Sequence, residues 1–362
     1  MANWYTSRER VKRAVGISGT DFHDRLDDLI EAMSRRVEAW THRRFIPITQ
    51  TRLYEWPPVL SYGRRSRSTV LELDADLLSV TTLQTKAQDS SPTTISSSDY
   101  FLEPNSPGPD GVTRYDRIEI DISSTAAFES GDTSQRSISV AGSWGYSAET
   151  RSAGTVGSGL SSDATATTMV CSNGAAIDVG DTLLIESEQI FVSDRTNAAE
   201  PNSDLLDGAL TATKSQVAVT VDSGSRYSAG EIILVDSEKM RVVSITGNVL
   251  TVERAVDASV LAAHNNNEAV HVFRSLTIER GVNGTTAATH ANATAISKYE
   301  PPFDIAALVR GEAIAAFKQE SGGWAGTVGA GEGERELAGT ALSSFRHDTI
   351  HNYRRFRSPV GI

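Results

Sequence analysis

The chain has 362 residues, a formal net charge of −12 and one cysteine, Cys171. That length suits two or three domains with their own cores, and a single cysteine, read as a small buried strand residue, excludes an internal disulfide framework. No apolar run is long enough to cross a bilayer, and an acidic chain lacks the basic footprint of a general nucleic-acid binder. The opening MANWYTSRERVKRAVG is charged and lacks the apolar stretch of a secretory signal, so synthesis in a cytoplasm is expected.

The first forty residues predict helix. Ser7 caps a short helix that Gly16 ends after Val15. Thr20 or Asp21 caps a second, on which Phe22, Leu26, Leu29, Ile30, Met33, Val37 and Trp40 form one apolar stripe. After Pro47 the pattern turns to short strands: TQTRLYEW, STVLELD, LLSVTTLQT, DYFLE, RIEIDI with alternating Ile118, Ile120 and Ile122, and SISVAGSWGY. Turn-rich stretches between them suggest an antiparallel sheet or small sandwich. Residues 147–162, SAETRSAGTVGSGLSS, are small and polar and are expected to be a linker.

Residues 161–300 carry 18 acids and 9 bases, against 28 and 25 in the rest, so an acidic Thr/Ser/Val-rich block lies between balanced flanks. Inside it the chain repeats itself. IDVGDTLLIESEQIFVS from Ile177 aligns with YSAGEIILVDSEKMRVVS from Tyr227 at an offset of about fifty residues, pairing Gly180 with Gly230 and Glu188 with Glu238. LTVERAVDASVLAAHNNNEAV from Leu250 aligns with LTIERGVNGTTAATHANATAI from Leu276 at about twenty-six, pairing His264 with His290. The order is therefore front, front, back, back. Tandem duplication would alternate the halves, so nesting is the simpler account: a β unit at 212–273 sits within a host split into 151–211 and 274–299. A domain-swapped pairing of the halves is the alternative.

After Pro301-Pro302, Asp304 caps a helix bearing Ile305, Leu308, Val309, Ala313, Ile314 and Phe317. Residues 321–333 hold six glycines and read as a flexible loop, and a last helix is expected from Leu342 to Phe356.

No strong catalytic motif appears. GAGEGE at 329–334 lacks the strand and the Lys-Ser/Thr of a phosphate loop. His347 and His351 stand four apart without an obvious third ligand. His264 and His290 recur at equivalent positions and point to a structural role. Glu186, Glu188, Asp236 and Glu238 are read as solvated turn acids, and Glu253-Arg254 and Glu279-Arg280 as ion pairs on a strand. Basic clusters occur at Arg8 to Arg13, Arg43-Arg44, Arg64 to Arg67, and Arg354, Arg355 and Arg357 around Phe356.

Read together, the two ends resemble a known family. RERVKRAVGI followed by DFHDRLDDLIEAMSRRVEAWTHRRFIP, then a strand closing SVAGSWGYS, then PPFDIAALVRGEAIAAFKQE, a glycine-rich loop and a terminal Leu…YRR helix resemble the head–tail connector (adaptor, or head-completion) proteins of long-tailed phages. The likeness spans about 1–150 and 300–362; the block between is a departure. It implies an α+β fold, a small helical bundle with an antiparallel sheet, here carrying an inserted all-β module of two nested repeat units. The ring-core packing would fall to Leu26, Ile30, Met33, Val37, Ile314 and Phe317. The resemblance further implies a non-enzymatic dodecameric ring in the virion neck, lining the DNA exit channel and transiently contacting genomic DNA. One face would dock on the portal and the other would receive a tail-completion or stopper protein. Portal docking is expected from Phe345, Tyr353, Arg354, Arg355, Phe356 and Arg357, because a glycine tether ending in arginines and aromatics suits a hot spot that orders on binding. No cofactor, metal or membrane partner is expected. Two rivals remain: a tail or baseplate component whose β units bind host surface or glycan, and a glycan hydrolase, which needs two carboxylates facing across a cleft.

Overall fold

The computed structural model describes residues 3–56, 69–196, 200–321, 327–328, 335–336 and 340–355. The chain divides into two compact units: Met1–Arg35, Thr150–Val282 and Thr286–Ser344 form one, and Arg36–Glu149, Asn283–Thr285 and Phe345–Ile362 the other.

Helix α1 (Arg8–Val15) starts where Ser7 Oγ accepts from the Arg10 N–H and ends at Gly16, whose φ of 71° is cheap only for glycine. In α2 (His23–Thr41), Leu26, Ile30 and Val37 are fully buried and Met33 is nearly so, while Phe22, just before it, is 40% exposed.

The second unit is built on an antiparallel sheet. Its strands are β1 (Ile48–Tyr54), β2 (Val70–Thr85), β3 (Thr93–Ile95), β4 (Tyr100–Glu103), β5 (Tyr115–Ile120) and β6 (Ile138–Trp144). They run in the order β1-β6-β2-β5-β4, with β3 also on β2. Two expected strands, STVLELD and LLSVTTLQT, are one long β2. Register shifts let it pair with both β5 and β6. Leu71, Leu77, Leu83, Ile118, Ile138, Val140 and Trp144 fill the core. The alternation expected through Ile122 stops at β5, and Ile122 is 88% exposed. Gly142 is required where β6 crosses β2, because a Cβ there would overlap the Ser79 carbonyl. The basic cluster at Arg64 to Arg67 lies outside the described residues.

In the first unit the strands are β7 (Thr150–Ser158), β8 (Thr168–Cys171), β9 (Thr182–Ile185), β10 (Glu188–Arg195), β11 (Glu200–Leu205), β12 (Ala218–Thr220), β13 (Ile232–Val235), β14 (Glu238–Thr246), β15 (Val249–Glu253), β16 (Ala269–Val272), β17 (Ser275–Glu279) and β18 (Ala295–Tyr299). Six close a barrel, β10-β17-β8-β7-β18-β9, around Val156, Met169, Cys171, Leu183, Ile190, Leu276 and Ile296. The other six form a half-barrel, β11-β16-β13-β14-β15-β12, around Val219, Ile233, Met240, Val242, Leu250 and Val270. The pairing is nested: β10 lies against β17, with Phe191 opposite Glu279, and β14 against β15, with Val242 opposite Val252. The residues expected as a linker form β7, whose Ala153 and Val156 point into the barrel. Their small size disguised them as linker.

Each β unit leaves and returns at one place. Thr150 and Tyr299 are directly paired across β7 and β18. The Thr196 N–H donates to the Ser275 carbonyl at 3.1 Å, so the half-barrel departs from one rung of the barrel. Replacing 200–273 by two glycines is therefore expected to leave a folded barrel that melts cooperatively. The cost should be about 2 kcal/mol, from the Glu231 contacts to Arg274 and Gly174. Circular dichroism and a thermal melt check this; loss of the cooperative transition would rule it out.

Helix α3 (Phe303–Ser321) buries Ile305, Leu308, Val309 and Ala313, with Phe317 9% exposed and Ile314 half-buried. The Arg25 guanidinium lies 4.6 Å above the Phe317 ring and donates to Glu320 at 2.7 Å. Beyond it, β19 (Thr327–Val328) pairs with β20 (Arg335–Glu336), and α4 (Thr340–Tyr353) follows. The rest of the expected glycine loop, 322–326 and 329–334 with its GAGEGE string, lies outside the described residues.

The expected fold, a small helical bundle with a sheet, is wrong. The molecule is about 20% helix and 35% strand, with four helices among the described residues, so sheets supply most of the core. The physical reason lies partly in α1. It is eight residues long, and its first turn is committed to the barrel. The Arg8 N–H donates to the Val179 carbonyl at 3.1 Å, the Arg8 side chain to Asp194 at 2.7 Å, and the Glu9 carboxylate accepts from the Val179 N–H at 2.9 Å. Trp4 packs edge-on to Phe191 and covers Gly180, where a Cβ would strike its ring. No helix among the described residues is long and apolar enough to cross a membrane.

Candidate functional site

The repeated motif builds the same clasp twice. Glu186-Ser187 turns β9 into β10 and Asp236-Ser237 turns β13 into β14. Glu186 and Asp236 take φ of 55° and 52°, the left-handed values of a tight hairpin. The next residue in each, Glu188 or Glu238, opens its strand with a wholly buried side chain. Glu238 Oε1 accepts from Arg254 Nε at 2.6 Å and the Ala255 N–H at 3.1 Å. Its Oε2 accepts from Arg254 Nη2 at 2.7 Å, the Ala262 N–H at 3.0 Å and His264 Nε2 at 2.9 Å. Glu188 repeats the set with Arg280 Nε and Nη2, the Gly281 and Ala288 N–H groups, and His290 Nε2. On its far side His264 Nδ1 meets Asp236 at 2.7 Å, and His290 Nδ1 meets Glu186 at 2.8 Å. Each histidine ring thus lies between two carboxylates, one buried and one exposed.

Burial raises the Glu238 carboxyl, but the Arg254, His264 and Ala262 donors outweigh it and hold it at about 2, against an ordinary 4.5. Glu188 is lowered by the same kind of contest. Five donors occupy each buried carboxylate, which leaves it no role as a general base or metal ligand. The clasp pins the irregular segment after β15 or β17 onto a hairpin. Two sequence expectations are corrected. Glu188 and Glu238 are not solvated; the exposed members are Glu186 and Asp236. Arg254 and Arg280 do not pair with Glu253 and Glu279, because neighbours on a strand face opposite sides.

Away from the clasp, a polar groove of about 510 Å³ is lined by Asn202, Ser225, Arg226, Tyr227, Ser228, Arg274 and two further serines. A bulge between Pro201 and Asp204 gives it one wall, with Ser203 at a φ of 53°. Arg226 Nη1 holds that wall by donating to the Asn202 carbonyl at 2.7 Å and to the Ser203 carbonyl. Arg274 forms a fork on Glu231 at 2.7 and 2.9 Å. The Tyr227 hydroxyl lies by the Asn202 and Asp204 side chains, and burial raises its pKa. Tyr227 Oη, Asn202 Nδ2 and Asp204 Oδ2 are buried side by side, the hydroxyl facing the other two as its side-chain partners.

The residues expected to dock on a portal are scattered in role. Phe345 is half-buried. Tyr353 packs on Phe45 and Tyr146, with ring centres at 5.7 and 5.4 Å. Arg355 is engaged internally, its Nη1 donating to Asp76 at 2.9 Å and its Nη2 to the Leu73 carbonyl at 2.8 Å. Arg354 is exposed. Phe356 and Arg357 lie outside the described residues. Of the other basic clusters, Arg8 bridges Asp27 and Asp194, and Arg43 meets Asp76 at 3.1 Å. The His347 and His351 rings stack at 6.5 Å, and no group of three metal-binding side chains occurs among the described residues.

Comparison with protein-family models, curated proteins and solved structures finds no match. The groove residues were missed in the sequence, although a signal existed. At the fifty-residue offset Ser225, Arg226 and Tyr227 replace Ala175, Ala176 and Ile177.

Proposed function

We propose that the protein is a non-enzymatic head–tail adaptor of a tailed virus. It assembles as a ring below the portal in the virion neck, joins capsid to tail and lines the channel through which the genome passes. The observation that carries this reading is the rung between Thr150 and Tyr299. The two segments that resemble adaptors end on neighbouring strands, so the acidic β block is an excursion from one point of an adaptor chain. The outer segments also touch each other, through α1 and α3. The reading does not need a helical bundle, and the described residues form none. Partners are further copies of the chain, the portal, a tail-completion or stopper protein, and transiently the DNA. An acidic excursion carrying most of the chain's excess negative charge would repel DNA, which favours a place outside the channel.

The test is co-sedimentation of the full chain with purified heads that expose a portal, followed by electron microscopy. Saturable binding at one vertex, with ring density under the portal, is expected. Failure to bind such heads, or binding that is equal on portal-less shells, would reject the adaptor role.

A further inference from the structure

We propose that Lys298 and Asp181 form a modification site, at which the chain joins itself by an amide bond between the two side chains and so staples β18 to the start of β9. The proposal stands apart from the adaptor reading, since a bond inside the barrel forms or fails whatever the chain assembles with.

β18 lies against β9 with Lys298 opposite Leu183. Residues paired across strands share a face, and so do alternate residues of one strand. Leu183 and Ile296 belong to the barrel core, so the Lys298 side chain enters the same interior. It is 3% exposed and meets Asp181 Oδ2 at 2.9 Å, and the Asp181 side chain is 14% exposed. An ammonium has three N–H groups to satisfy. Asp181 is the only partner of this one among the described residues, and the same oxygen also accepts from the Asp178 N–H at 2.8 Å. A buried ion pair repays its desolvation only when its remaining hydrogen bonds are made. These two groups are held close, largely kept from water and under-bonded as ions.

The internal repeat shows that the fold does not need this lysine. At the fifty-residue offset the acid recurs as Glu231. Each acid accepts from the N–H three residues earlier, of Asp178 or Ser228. The half-barrel answers Glu231 with the Arg274 fork. Val272 takes the place of Lys298, opposite Ile233 as Lys298 is opposite Leu183. An arginine stays charged and keeps its pair ionic, whereas a lysine amine is a nucleophile once it gives up a proton.

Burial raises the Asp181 carboxyl, Lys298 pulls it back and the Asp178 charge raises it again; the net direction is up, toward the acid form that condenses. Asp181 takes a proton from Lys298 Nζ. The freed lone pair adds to Asp181 Cγ, a C–N bond forms and one C–O bond breaks. That oxygen leaves as water, with one proton from the carboxyl and one from the amine. Nothing is oxidised or reduced, and no co-reactant is needed. Groups held in reacting geometry reach effective concentrations of about 10⁵–10⁸ M, which outweighs the hydrolysis that bulk water favours.

The experiment is an intact-mass measurement on the full chain, folded and then denatured, followed by a protease digest. The chain is expected to be one water lighter than its sequence, with the peptides that carry Asp181 and Lys298 recovered as one cross-linked species. Lys298→Arg keeps the cation but cannot condense, so it should show its full mass and melt at a lower temperature than the wild type. A wild type at full mass would overturn the proposal, and that measurement decides alone if the variant does not fold. So would a water lost elsewhere, as at Asp110-Gly111, or a Lys298→Arg chain lighter by the same water.

Discussion

Glu238→Gln is expected to destabilise the half-barrel by about 3–5 kcal/mol, the usual cost of leaving one member of a buried ion pair alone. That is a large part of the roughly 5–15 kcal/mol that holds a domain together. The glutamine fits the space but removes the charge that answers Arg254, and it turns an amide NH₂ toward donors. Arg254 and Glu238 are both wholly buried, so water cannot make up the loss. Glu188→Gln should do the same to the barrel. Glu253→Gln, on the exposed face beside Arg254, should stay within about 0.5 kcal/mol. Replacing Glu238 and Arg254 together by Gln and Met should cost less than the first change alone, since no unpaired charge remains. Thermal melts and limited proteolysis across 254–264 provide the readout; equal stability of Glu238→Gln and Glu253→Gln would show that the clasp holds nothing.

The same carboxylate sets an acid limit. Its folded pKa of about 2 lies below the ordinary 4.5, so its contribution is present above about 4.5 and lost as pH falls through about 2. The wild type should lose stability over that window. Glu238→Gln, already without the carboxylate, should show a flatter dependence there.

What was legible in the sequence was whatever depended on order and spacing. Ser7 and Gly16 announced the ends of α1. The front-front-back-back order of the repeat corresponds to the pairing of β10 with β17. What depended on which side of a strand a residue faces was not legible. Glu188 follows an exposed Glu186 and a serine in a turn, and nothing local marks it as the buried member. Its partner Arg280 is 92 residues away, while the adjacent Glu279 offered a false one. Small residues hid β7, since Ala153 and Gly154 look alike in a linker and in a barrel wall. The groove was written where the two copies differ, at Ser225, Arg226 and Tyr227, and not in the positions they share.

Arg355→Ala is expected to destabilise the sheet unit by about 2–3 kcal/mol, whereas Arg354→Ala should leave stability unchanged within about 0.5 kcal/mol. The two arginines are neighbours with opposite situations. Arg355 and Asp76 have side chains 12% and 10% exposed, and the Arg355 N–H also donates to the Thr41 carbonyl. Removing Arg355 leaves Asp76 to Arg43 alone, which limits the cost to below that of a fully orphaned charge. Truncation after Ser344 would remove this anchor together with the Tyr353 ring on Phe45 and Tyr146, so loss of portal attachment by a truncated chain could reflect a damaged sheet unit. Arg354→Ala makes the cleaner test of docking. If the exposed end of α4 meets the portal, the variant should melt like the wild type yet bind portal-bearing heads about tenfold more weakly, the size of an interface arginine loss. Wild-type affinity in that variant would take Arg354 out of the docking surface.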